Sequence, residues 1–319
     1  MSAKTSLSCL MLSIALSTLV ACAPPPPAHK AASGPSIKLA SQSGDFQAPL
    51  DSIPDPAGKT IYFVAENAQG KGLFQVPATG GAVSTVAVGA PFVEPLGMSM
   101  SPDGQRVFVA DPKANAIFAI TVGSAATPVI SAIPNTTGST PQGMDVHVEN
   151  GQLMIYFSGK DAQDGQPAVF KIDAAGAAKP TLVHKGAPFV EPDGIAVAPD
   201  GTVYVADRAA GEAGTNMGQV FKIAGGAVTV LVQKVRTGNP AGIALTTDGA
   251  TLLVSALQPD GKSDQVLVVN TATGANSSVT DVVGQNSAAG GVHRANQSNL
   301  FSWADRTCRP RGCVYSVAP

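Results

Sequence analysis

From residue 36 onward the chain is written in short apolar runs that alternate with polar positions and are divided by turn residues. One run recurs six times with an apolar-aromatic signature. Its copies are Gly72-Leu-Phe-Gln-Val76, Ala116-Ile-Phe-Ala-Ile120, Ala168-Val-Phe-Lys-Ile172, Gln219-Val-Phe-Lys-Ile223, Gln265-Val-Leu-Val-Val269 and Cys313-Val-Tyr-Ser-Val317. A second run precedes it, as Val107-Phe-Val-Ala110 or Val203-Tyr-Val-Ala206. Runs this short, with period-two alternation and β-branched or aromatic residues, predict strands. Before the second run stand Asp103-Gly104, Asn150-Gly151, Asp200-Gly201 and Asp248-Gly249. Such pairs accept the positive φ of a two-residue hairpin. No stretch here carries a helical 3.6-residue period.

The runs are organised as a repeat. Gly89-Ala-Pro-Phe-Val-Glu-Pro-Leu-Gly97 and Gly186-Ala-Pro-Phe-Val-Glu-Pro-Asp-Gly194 nearly coincide, with Ser139-Thr-Pro-Gln-Gly143 as a weaker copy between them. Each unit begins with a short strand after a Pro-x-Gly start: Gly97–Ser101, Gly143–His147, Gly194–Ala198 and Gly242–Thr246. Two degenerate units begin near Asp51 and near Ala289-Gly290. The spacing of these starts predicts four-stranded blades of just under fifty residues, and hence an all-β, six-bladed β-propeller. The last unit has only three strands. The strand Ser36–Ala40 is expected to supply its fourth and close the ring, removing an open sheet edge.

The first residues read differently. Lys4 is followed by an uncharged apolar stretch from Leu7 to Ala21, which has the form of an export signal. It ends Leu19-Val20-Ala21-Cys22, which resembles the bacterial lipobox, in which the Cys is diacylated and becomes the first mature residue. Ala23 in place of Asp then points, by the rule for Gram-negative lipoproteins, to the outer membrane. Pro24 to Pro27 begin an extended spacer. The expected organisation is a signal peptide over 1–21, a tether over 22–35 and a propeller over 36–319. The lipid on Cys22 makes the membrane the first expected partner.

Composition narrows the function classes. The chain has 20 Lys+Arg against 22 Asp+Glu, and charged residues are only 13%. No basic stripe or aromatic RNA-binding motif is present, which argues against nucleic acid. Cys308 and Cys313 are expected to pair in an oxidising compartment. Two cysteines without a second ligand pair do not suggest zinc. No Gly-rich phosphate loop, HExxH motif or GxSxG elbow occurs.

Pro192 to Asp207, read as Pro-x-Gly-Ile-Ala-Val-x-Pro-Asp-Gly-x-Val-Tyr-Val-Ala-Asp, resembles six-bladed propellers of the NHL-repeat type and of the gluconolactonase and regucalcin group. The resemblance implies architecture over residues 36–319. For the lactonases it also implies Ca²⁺ above the central channel, held by oxygen ligands at the strand starts. Asp193 matches one such ligand. Pro49-Leu50-Asp51 stands where that group has Glu-Gly-Pro, and Ala241 and Ala289 occupy the other two positions. One matched carboxylate falls short of the six to eight oxygens Ca²⁺ wants.

Candidate site residues cluster on one expected face. The strand starts bring Glu94, Gln142, Glu191, Asp193 and Asn239 as ligand-binding candidates. The loops between second and third strands bring Glu66, Asp111, Asp207 and Asp305; an acid at a strand end, as in the Val-Ala-Asp of Asp111 and Asp207, equally suits a backbone-bonding cap. Asp145 and His147 break the small-residue pattern of their strand and lie two apart, on one face. They are candidates for an acid–base or ligand pair, with His293 and Arg294 as partners across the ring. Arg306, Arg309 and Arg311 surround the Cys308–Cys313 hairpin and suit an anionic ligand or partner. Three functions compete: a non-enzymatic binding propeller engaging a protein or small ligand through its top face, a Ca²⁺-dependent lactonase or hydrolase with altered ligands, and a purely structural envelope component.

Overall fold

The computed structural model describes residues 36–42, 44–123, 127–258, 263–280 and 289–318. The expected signal peptide, Cys22 and tether lie outside these residues. The strands in chain order are β1 (Ser36–Gln42), β2 (Gln47–Pro54), β3 (Thr60–Asn67), β4 (Gly70–Pro77), β5 (Ser84–Val88), β6 (Gly97–Met100), β7 (Arg106–Asp111) and β8 (Ala116–Thr121). There follow β9 (Ile130–Ala132), β10 (Met144–Glu149), β11 (Gln152–Lys160), β12 (Pro167–Asp173), β13 (Thr181–Lys185), β14 (Pro192–Val197), β15 (Val203–Asp207) and β16 (Gly218–Ala224). The last are β17 (Ala227–Val235), β18 (Ile243–Leu245), β19 (Thr251–Leu257), β20 (Asp264–Asn270), β21 (Asn276–Thr280), β22 (Ala289–Arg294), β23 (Phe301–Asp305) and β24 (Cys313–Ala318).

These strands form six antiparallel four-stranded sheets. Five are simple meanders, from β2-β3-β4-β5 to β18-β19-β20-β21. The sixth has the order β1-β24-β23-β22, so the chain's first described strand completes the last blade. Ser36 pairs with Ala318 and Gln42 with Cys313. The ring is therefore closed as the sequence predicts, by chain from both ends.

The strands β2, β6, β10, β14, β18 and β22 are the innermost and touch one another in turn around the axis. The Pro-x-Gly starts follow from that crowding. A Cβ on Gly97 would sit 2.1 Å from the Gln142 carbonyl oxygen, and one on Gly143 would sit 2.1 Å from that of Asp193. Only glycine lets neighbouring backbones approach so closely. Between successive blades lie six apolar clusters, one per interface. Ile53, Val64, Met98 and Val109 fill the first, and Val292, Trp303 and Tyr315 belong to the fifth. Apolar burial between blades, at about 25 cal/mol per Å², holds the ring together.

Two start positions move by one residue relative to the sequence expectation. Asp51 pairs with Val64 and Gly97 with Ala110, so Asp51 holds the register of Met98 rather than of Gly97. An irregularity between Gln47 and Asp51, with Ala48 at φ 48°, inserts the extra residue. In the last blade Ala289 pairs with Asp305 and Val292 with Trp303, which makes Gly291 the glycine start. Gly290, not Ala289, then stands at the Asp193 position.

Candidate active-face site

Each inner strand of the fold brings its first residues to the face where the loops between second and third strands also emerge. Three of the acids ending the second strands, Asp111, Asp207 and Asp305, cap loops beside them. Asp111 accepts from the backbone N–H of Val93 at 2.7 Å, of Glu94 at 2.9 and 3.0 Å, and of Ala114 at 2.8 Å. Asp207 does the same for Val190 at 2.8 Å, Glu191 at 3.0 Å and Ala209 at 3.0 Å. Asp305 takes Thr307 at 2.7 Å and Cys308 at 3.2 Å. Burial raises the Asp207 carboxyl's pKa, and the donated N–H groups oppose that rise. The two copied loops are thus held alike, with Phe92 and Phe189 inserted edge-on against Phe118 and Phe221. They differ at the residue after the cap. Blade two has Pro112, whereas blade four has Arg208, whose Nη2 lies 2.8 Å from Oε2 of Glu191.

A cavity of about 500 Å³ opens beside this ion pair. Its lining includes Glu191 and Arg208, Arg236, Thr237 and Asn239 from the β17–β18 connection, and Arg306 from the loop after β23. Thr237 Oγ1 and Asn239 Oδ1 are buried and make no hydrogen bond among the described residues. A smaller cavity of about 110 Å³ shares Glu191 and Arg208 and reaches Gln142 and Asp193. Asp193 is 1% exposed. Its Oδ2 accepts the Ala241 N–H at 2.9 Å, and its Oδ1 has no partner among the described residues. Burial pushes its pKa up to about 7, against the pull of the Ala241 N–H and the nearby Arg208. Glu94 is not part of either cavity's lining.

A second polar cluster sits on the innermost strands β2, β10 and β22. Asp51 is the one polar residue in a ring of positions otherwise held by Met98, Met144, Ile195, Ile243 and Val292. It accepts the Ser52 N–H at 2.7 Å and the Met98 N–H at 2.8 Å, and its Oδ2 lies 3.0 Å from His293 Nε2. Asp145 accepts from Val146 N–H at 2.8 Å and from Val197 N–H of the next blade at 2.8 Å. Burial raises its carboxyl's pKa, and the charges of His293 and Arg294 oppose that. Among the described residues neither is hydrogen-bonded to Asp145: His293 bonds Asp51, and Arg294 donates to the Leu245 carbonyl at 2.6 Å. His147 has a different neighbour, the Tyr156 ring at 6.4 Å, and among the described residues Asp145 and His147 share no hydrogen bond.

The arginines of the last hairpin separate. Arg306 faces the 500 Å³ cavity. Arg311 Nη1 donates to Gln47 Oε1 at 3.1 Å, the Arg309 carbonyl accepts from Gln42, and both belong to the blade-one side of the face. There Arg311 joins Asp45 and Glu66 around a cavity of about 850 Å³. Cys308 and Cys313 form the expected disulfide, with Cα atoms 5.5 Å apart.

The residues do not fit a Ca²⁺ centre. Among the described residues no three His, Cys, Asp or Glu side chains are grouped to hold a metal. The carboxylates of Asp51 and Asp145 are committed to backbone N–H groups, and the position matching Asp193 in blade six is Gly290. Sequence reasoning missed Asp51, Arg236 and Thr237. Asp51 carried a legible signal, an acid in an apolar strand slot. Arg236 and Thr237 lie in a connection that repeats nothing.

Fold and site together define a six-bladed propeller with a polar, arginine-lined cavity over blades four to six. No protein-family model matches the chain, and no curated protein matches its sequence. Solved structures do. A luciferin-regenerating enzyme superposes with a TM-score of 0.61 at 14% identity, covering 90% of this chain and 96% of that one. A protein assigned as a gluconolactonase gives 0.60 at 15% identity, with 89% and 92% covered. Regucalcin, a calcium-binding protein from Agrobacterium tumefaciens, gives 0.59 at 16% identity, with 86% and 90% covered. At such identities the likeness is one of fold, and one fold carries many functions.

Proposed function

We propose that this protein is a binding propeller, exported and lipid-anchored through Cys22, that holds a small ligand in the top-face cavity over blades four to six. The observation that carries the reading is the pair of buried, unpartnered polar atoms, Thr237 Oγ1 and Asn239 Oδ1, in a cavity of about 500 Å³. Such atoms cost free energy unless something bonds them, and the volume suits a metabolite-sized molecule. A ligand that supplies those hydrogen bonds stabilises the folded chain.

A thermal-shift screen of small polar molecules on the purified protein tests this. Hits at a hundredfold excess over Kd stabilise the wild type by about 2.7 kcal/mol and lose that effect in Thr237→Val. Shifts equal in both proteins overturn the reading. The anchor has its own test: labelled palmitate is incorporated by the wild type and not by Cys22→Ala. Labelling of both, or of neither, removes the lipid from the proposal.

A further inference from the structure

We infer that the ligand carries an oxyanion, a carboxylate or a phosphate, and that Arg236 and Arg306 hold it. This rests on the cavity being a ligand site and specifies the chemistry of its occupant. Arg208, the third arginine of the cavity, is already bound to Glu191 at 2.8 Å. Arg236 and Arg306 have no side-chain hydrogen bond or ion pair among the described residues. Both have fixed backbones. The Arg236 carbonyl accepts the Leu257 N–H at 2.6 Å, joining the end of blade four to blade five. Arg306 follows Asp305, which caps its loop, and the Cys308–Cys313 disulfide closes that loop two residues later.

Two cations that approach one cavity from different blades repel each other until an anion lies between them. A guanidinium fork matches carboxylate and phosphate oxygens and loses little entropy on binding. Glu212, the other acid of the lining, is exposed on the 211–217 loop and bonds neither arginine. Thr237 and Asn239 in the same lining call for hydrogen-bonding groups on the same molecule, so a hydroxylated or amidated acid fits where a fatty acid does not.

Titration calorimetry on the full-length protein in detergent, with malate, glycerol 3-phosphate, inorganic phosphate and the neutral polyol xylitol as probes, tests the assignment. At least one anion is expected to bind, with affinity that falls as NaCl rises. Arg236→Gln and Arg306→Gln each weaken it tenfold or more, Arg236→Lys weakens it less, and Arg309→Gln, outside the cavity, changes nothing. Unfolding midpoints establish that each variant is folded, and Arg236→Lys carries the test if Arg236→Gln is not. Xylitol binding as tightly as the anions, indifferent to both arginines, overturns the oxyanion assignment and leaves the ligand site standing. No binding by any probe overturns both.

Discussion

His293 Nε2 lies 3.0 Å from Asp51 Oδ2, joining side chains 242 residues apart on the innermost strands of the last and first blades. The strand β1 closes the ring at its rim, and this pair closes it at the axis. Gly291 beside it is obligatory, because a Cβ there would sit 1.8 Å from Asp51 Oδ1. Burial works against charge on His293, but the charge and hydrogen bond of Asp51, with Asp145 behind, raise its pKa overall.

The raised pKa sets a pH window. A histidine whose folded-state pKa exceeds the unfolded value of about 6.5 adds stability that is present below that value and lost as pH climbs through the folded one. His293→Ala is therefore expected to cost about 3 kcal/mol at pH 6, as loss of one partner of a buried pair does, and less at pH 9. Denaturant unfolding of both proteins at the two pH values measures it. An equal cost at both would mean His293 is neutral throughout.

Asp193 acts in the same direction for the opposite chemical reason. Its carboxyl, raised from 3.8 to about 7, binds a proton more tightly folded than unfolded. Stability then falls as pH rises from about 4 to about 7. Asp193→Asn is expected to flatten that slope and to be more stable than the wild type at pH 8. The upper limit is about 4 kcal/mol, at roughly 1.4 kcal/mol per pKa unit. Unfolding midpoints across pH 4 to 8 give the two slopes, and parallel curves would refute the assignment.

The twin caps separate structure from function. Asp111→Ala and Asp207→Ala each strand several loop N–H groups and are both expected to cost about 2–4 kcal/mol. Only Asp207→Ala also releases Glu191 and Arg208 beside the cavity, so only it should weaken ligand binding. Equal weakening by both would show that the copied loops affect the cavity through general destabilisation.

Starting the chain at Gly44 removes β1 and bares the edge of β24. The expected result is loss of cooperative unfolding together with concentration-dependent association, because an unpaired strand edge seeks a partner. A synthetic Ser36–Gln42 peptide should suppress that association. Light scattering with and without peptide reads it, and a truncation that unfolds cooperatively without associating would show that β1 is dispensable.

Much of this protein was determined by sequence. Six apolar-aromatic runs at near-constant spacing require six blades, since each run can bury its alternate residues only against the next unit. A last unit one strand short predicts the role of Ser36–Ala40. The Val-Ala-Asp caps were legible too, because Asp111 and Asp207 act on loops fixed by their own repeat. Tertiary structure decided the rest. The register of the two degenerate starts depended on an irregular pairing at Ala48 and on how closely Gly291 meets Asp51. Asp51 with His293, and Arg236 with Arg306, are juxtapositions of residues far apart in the chain. Ring closure brings the first pair together and the packing of blades four to six the second, so periodicity could reveal the scaffold that carries the site but not which side chains meet across it.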